Sequence, residues 1–136
     1  MTFSWLLEVG DLDWLAIVLG AVAAMALGAL WYGPVFGKLW SSKSGVGRSG
    51  GPVQIAMTGA YCLVFNMALQ YLGLATVKFE FEHALVAGIV LGVLAIGSAL
   101  YSSVVWAKKH PMVFFIDLGF WFAAVVACLL VQSIVL

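Results

Sequence analysis

The stretch MVFFIDLGFWFAAVVACLLVQSIVL, residues 112–136, carries a single charged side chain, Asp117. About 20 apolar residues in a helix are enough to cross the hydrocarbon core of a bilayer, and this run exceeds that length. It therefore reads as a membrane-spanning helix. Two questions follow: which other segments cross with it, and what holds a carboxyl group inside the membrane.

Composition places the whole chain in the same class. Of 136 residues, 65% are hydrophobic and 9% charged. Six basic and six acidic side chains cannot supply the polar surface that a soluble domain of this size shows to water, so lipid must take the place of water. Three further stretches are long enough to span, roughly 13–33, 52–76 and 84–107. The connections between the four are FGKLWSSKSGVGRSGG, VKFEFEH and the very short AKKHP. The expectation is one all-α integral membrane domain over residues 1–136, a four-helix bundle made of two transmembrane hairpins. Its surroundings are the lipid bilayer, and nothing in the chain points to nucleic acid. The segment AVAAMALGA could pass for a cleavage site, but Glu8, Asp11 and Asp13 stand before it in place of a basic n-region. A retained helix is the better reading.

Basic residues set the orientation, because short cytoplasmic loops hold the excess of Lys and Arg. Lys38, Lys43 and Arg48 lie in the first connection and Lys108 and Lys109 in the third, against Lys78 alone in the second. The first and third connections share a side, so the expected location is the cell membrane, an inner membrane, with both termini on the outer side. Pro52 and Pro111 stand where a helix begins, a position at which the missing N–H costs nothing. GALWYGPVFGK (28–38) also aligns without gaps to SALYSSVVWAK (98–108). One account is a parallel internal repeat; the other is that two helices end alike because the interface selects aromatics and Lys.

Counting along the helices gives the carboxyl group neighbours. Asp117 lies six residues after Pro111 and Thr58 six after Pro52, while Tyr32 is six before Lys38 and Ser102 six before Lys108. Each falls roughly 9 Å into the membrane at 1.5 Å per residue. An intramembrane carboxyl costs roughly 2.5 to 3.5 kcal/mol at the bilayer centre, so Asp117 should turn inward to these hydroxyls. Thr58, Cys62, Asn66 and Gln70 form an i, i+4 row, and Asp117, Trp121, Ala124, Cys128 and Gln132 form a stripe on the last helix. Gly20, Ala24 and Gly28 on the first helix form a small-residue face. On the third, Ala84, Gly88, Gly92, Ala95, Ala99 and Ser102 make another; each packs the bundle or joins protomers.

The core WYGP-x-FGK-x-W, that is Trp31, Tyr32, Gly33, Pro34, Phe36, Gly37, Lys38 and Trp40, together with FFIDLGFW later in the chain, resembles the small four-helix membrane proteins catalogued as domain of unknown function 1761. The likeness covers nearly the whole length. It implies a four-helix fold and a membrane location, with Asn or Asp at the position of Asp117, and it brings no established activity.

Other motifs have plainer readings. GVGRSG (45–50) fits G-x-G-x-x-G, but lies in a Gly/Ser loop between spans and not in a βαβ unit. Glu80, Glu82 and His83 could attract a divalent cation, yet without diagnostic ligand spacing they read as a solvated loop, so no metal is expected. Cys62 and Cys128 read as small buried residues at different depths, and no cofactor is implied. No nucleophile stands beside a base, so the chain is not expected to be an enzyme. The favoured function is a structural or accessory membrane component acting as an oligomer or within a larger complex. The alternative is a small oligomeric transporter or channel using Asp117 for proton or cation coupling.

Overall fold

Capping residues set where the helices begin. The computed structural model describes residues 12–45, 51–71 and 81–135. Helix α1 (Trp14–Leu30) opens on Asp13, whose carboxylate accepts from the Ala16 N–H at 3.0 Å and so satisfies a donor that the first turn leaves free. The same residue is held from across the bundle. Its backbone N–H donates to Gln70 Oε1 at 2.9 Å, and Gln70 Nε2 donates back to the Asp13 carbonyl at 3.0 Å. Gln70 belongs to the last turn of α3 (Pro52–Tyr71), so the end of one helix clasps the start of another. Prolines open α3 and α6 (Pro111–Val135), as expected of residues that lack the donor a first turn cannot use.

Among the described residues, four segments are long and apolar enough to cross a membrane: Trp14–Val35, Pro52–Tyr71, Leu85–Trp106 and Pro111–Val135. The protein is an all-α, multi-pass membrane bundle. The stretch 72–76 that the second span was expected to include, with Glu8, Asp11, Lys78, Glu80, Arg48 and most of the GVGRSG loop, lies outside the described residues.

Two of the spans are broken. Pro34 inside the first span has no N–H to bond Leu30, and its ring would crowd that carbonyl. The backbone answers with a π turn over Trp31–Val35, in which the Phe36 N–H reaches back five residues to the Trp31 carbonyl at 2.8 Å. Gly33, at φ −103° and ψ −105°, leaves the helical region there. The chain then resumes as α2 (Gly37–Ser44), which ends on Gly45 with φ +72°, a left-handed C-cap that favours glycine. The sequence leads one to expect a loop here; the structure has a helix, because the chain can restart a helix after a proline. The third span runs α4 (Phe81–Leu91), a second π turn (Gly92–Ile96) and α5 (Gly97–Trp106). In the alignment of the two hairpins Gly92 pairs with Val22, in regular α1, so the hairpins differ in where their π turns fall.

Helices α1 and α6 form the centre. α3 packs on the outside of α1, while α4 and α5 pack on α6. The centre is built of small and medium side chains, among them Ala16, Ile17, Ala21, Ala24, Val125 and Leu129. Asn66 and Gln132 are fully enclosed at 0% exposure, whereas Trp106 and Ile134 are more than 80% exposed. Polar groups inside and large apolar groups outside invert the pattern of a soluble protein and match a lipid environment.

Glycines set the closest approaches. A Cβ at Gly20 would fall 2.1 Å from Asn66 Oδ1 on α3, and one at Gly88 would fall 2.8 Å from Val125 Cγ1 on α6. Gly28 faces Phe120 and Gly92 faces Val125 at longer range, and Ala24 is buried. From the second π turn onward the small-residue row of the third span leaves the bundle. Ala95, Ala99 and Ser102 are exposed, so the single face read from the sequence is divided at the π turn.

Candidate functional site

The first π turn turns the WYGP segment toward the loop-side half of α6. Asp117 Oδ1 accepts from the Tyr32 hydroxyl at 2.6 Å and from Trp40 Nε1 at 3.0 Å. Beside it, Trp31 Nε1 donates to the Ile116 carbonyl at 3.1 Å. Three side chains of one short motif therefore bond two consecutive residues of α6. Their rings pack together as well: Tyr32 meets Trp40 edge-on at 5.7 Å and Phe120 at 5.3 Å, and Trp31 lies 4.8 Å from Phe36. Such aromatic pairs add attraction beyond the area they bury.

Glycine makes the approach possible. A Cβ on Gly119 would stand 3.1 Å from Trp31 Cζ2, so an added methyl would make the indole give by a few tenths of an ångström. Gly37 is buried at the start of α2, Pro34 is exposed on the outside of the bend, and Lys38 is exposed on α2. The bend is what lets Tyr32 and Trp40, eight residues apart, reach one oxygen.

Of the four residues read as one polar layer, the structure brings Tyr32 and Asp117 together and keeps the other two apart. Thr58 is exposed on α3, and its hydroxyl donates to the Gln54 carbonyl of its own helix at 2.8 Å. Ser102 is exposed on α5. Depth counting located all four at a similar level but carried no information on the direction each side chain faces. A threonine can also satisfy itself on the carbonyl four residues back, which removes its need for Asp117. Trp40 reaches Asp117 from α2, a helix where the sequence leads one to expect a loop. Its indole N–H, a donor with no acceptor role, was the available signal.

Nearer the other membrane face is a second polar group. Asn66 Nδ2 donates to the Cys62 carbonyl at 2.9 Å, and Gln132 Nε2 donates to Asn66 Oδ1 at 2.8 Å. Gln132 Oε1 is the buried side-chain acceptor without a partner among the described residues. Cys62 and Cys128 are both free and buried in the same core cluster, and Cys128 Sγ points to the Gly20 carbonyl at 3.6 Å. No group of three or more His, Cys, Asp or Glu that could hold a metal occurs among the described residues.

Residues 15–135 match the family described as Protein of unknown function (DUF1761). The chain belongs to this family. No curated protein and no solved structure matches it. In this member of the DUF1761 family, the WYGP-x-FGK-x-W segment and the IDLGF segment are the two halves of one contact, a clamp closed on Asp117.

A cleft of about 770 Å³ lies next to the clamp between α1, α3 and α6. Tyr32 lines it and Asp117 does not. Trp121 forms part of its wall, with ring contacts to Tyr61 at 5.6 Å and Phe65 at 5.5 Å.

Proposed function

We propose that this protein is a non-enzymatic structural or accessory component of the cell membrane that works as an oligomer. The observation that supports the reading is the commitment of Asp117: one carboxyl oxygen ties together the π turn, α2 and α6. A buried polar residue used this way fixes helix register. A coupling carboxyl instead needs a route by which protons or cations reach it, and Asp117 does not line the cleft between α1, α3 and α6. The exposed row Ala95, Ala99 and Ser102 supports association, because small residues let a neighbouring helix come close in lipid.

The test is reconstitution. The solubilised particle is expected to contain more than one chain. Sealed vesicles holding it should pass protons and potassium ions no faster than protein-free vesicles, for wild type and Asp117→Asn alike. A flux in the wild type that Asp117→Asn abolishes would reinstate the coupling reading, and a monomeric particle would remove the oligomer.

The distribution of Lys and Arg supports a cytoplasmic α2 with both termini outside. Single cysteines in Ser42→Cys and Thr2→Cys should then react with an impermeant reagent from opposite faces of the membrane. Reaction from the same face would overturn this orientation.

A further inference from the structure

We infer that the cleft between α1, α3 and α6 is a binding site for the acyl chains of one anionic phospholipid, drawn from the leaflet on the α2 side. The inference does not depend on the oligomeric role proposed above. Its first support is dimensional. The α3 wall runs from Gln54 to Phe65, about 16 Å at 1.5 Å per residue, close to half of a hydrocarbon core of about 30 Å. The cleft is therefore one leaflet deep. Along that length the lining is mainly apolar, a surface that suits hydrocarbon tails.

Chemistry along the cleft has the same polarity as a lipid. Its deep part is walled by Phe65, Phe120, Trp121 and Ala124, which offer a tail only apolar and aromatic surface. Gln54 and Thr58 stand at the end near Pro52, where a glycerol ester would lie. Beyond that end comes α2, packed over the cleft-lining Tyr32 through the Trp40 ring and carrying exposed Lys38 and Lys43. Basic residues at this level attract anionic headgroups. Ile55, Met57 and Tyr61 on the rim are exposed, so the cleft opens sideways to the bilayer and a lipid can enter without crossing the bundle.

The experiment reconstitutes the protein in bilayers of equal parts phosphatidylglycerol and phosphatidylcholine with matched tails, extracts it in mild detergent and counts retained lipid by native mass spectrometry. Wild type should keep one lipid per chain. Phosphatidylglycerol should be favoured roughly ten- to thirtyfold, the preference two basic side chains near a headgroup carry. Ala29→Phe and Thr58→Phe fill the cleft from opposite walls and should each lower retention by about tenfold or more. Lys38→Gln with Lys43→Gln should keep the lipid and bring the preference close to parity. Helicity by circular dichroism identifies which filling variants fold. A folded filling variant that retains lipid like the wild type overturns the inference. So does a wild type without lipid, one that does not prefer phosphatidylglycerol, or a dimer that carries none.

Discussion

Asp117→Leu is expected to weaken packing of the bundle by about 2 to 6 kcal/mol, since two donors lose their acceptor in one substitution. The Tyr32 hydroxyl and Trp40 Nε1 both end on the same oxygen. Each buried donor left without a partner costs about 1 to 3 kcal/mol, and leucine offers neither an acceptor. Insertion of α6 should move in the opposite direction. Leucine replaces a group that costs about 2.5 to 3.5 kcal/mol at the bilayer centre, so the helix enters the membrane more readily while the bundle holds together less well. The two effects separate experimentally: membrane-inserted yield is expected to hold or rise, while resistance of the purified protein to unfolding in sodium dodecyl sulfate falls. Asp117→Asn keeps an acceptor oxygen and should lose about 1 kcal/mol or less. Trp40→Phe removes one donor and should fall between the two. An Asp117→Leu protein that resists unfolding like the wild type would show that the clamp contributes nothing to cohesion.

At the other end of the bundle, Gly20→Ala should lower stability by about 2 to 4 kcal/mol, although alanine is the better helix former by about 1 kcal/mol. The new methyl would stand 2.1 Å from Asn66 Oδ1 and 2.8 Å from its Cγ. That side chain is short and anchored, with its nitrogen on the Cys62 carbonyl and its oxygen on Gln132. Moving it breaks both bonds inside a fully enclosed site. The double variant Gly20→Ala with Asn66→Ala provides the check, because removing the amide makes room for the methyl. Its loss should be clearly smaller than the sum of the two single losses. Additive losses would mean that Gly20 is not there to accommodate Asn66.

What could be read from the sequence followed what a one-dimensional count can measure. Counting the rise per residue from Lys38 and Pro111 put Tyr32 among three hydroxyls at the depth of Asp117, and of these the structure has Tyr32 in contact with it. Direction around the helix axis was out of reach at Thr58 and Ser102, because an apolar helix in lipid shows little contrast between its faces. The π turns were equally hidden. Pro34 signals a break, but α2 depends on how the backbone absorbs it: the Phe36 N–H finds the Trp31 carbonyl five residues back, and the helix restarts from Gly37. Trp40 could be placed only after that geometry was known. The clasp of Gln70 on Asp13 joins residues 57 apart in the chain, and nothing local foretells it.

The central pairing of α1 with α6 has a consequence for how the protein is made. The first and last helices form the middle of the bundle, while α3 and the α4–α5 span attach to its flanks. During synthesis α1 can meet α3 early, and Gln70 can close on Asp13 as soon as α3 is in the membrane. Tyr32, Trp31 and Trp40 must wait with their donors unpaired until Asp117 and Ile116, 77 to 85 residues later in the chain, emerge with α6. Contacts between such distant parts of a chain form late and slowly. A chain interrupted before Pro111 would leave three aromatic donors in lipid with no acceptor, a lasting mark of incompleteness that membrane quality-control proteases could distinguish from the finished bundle.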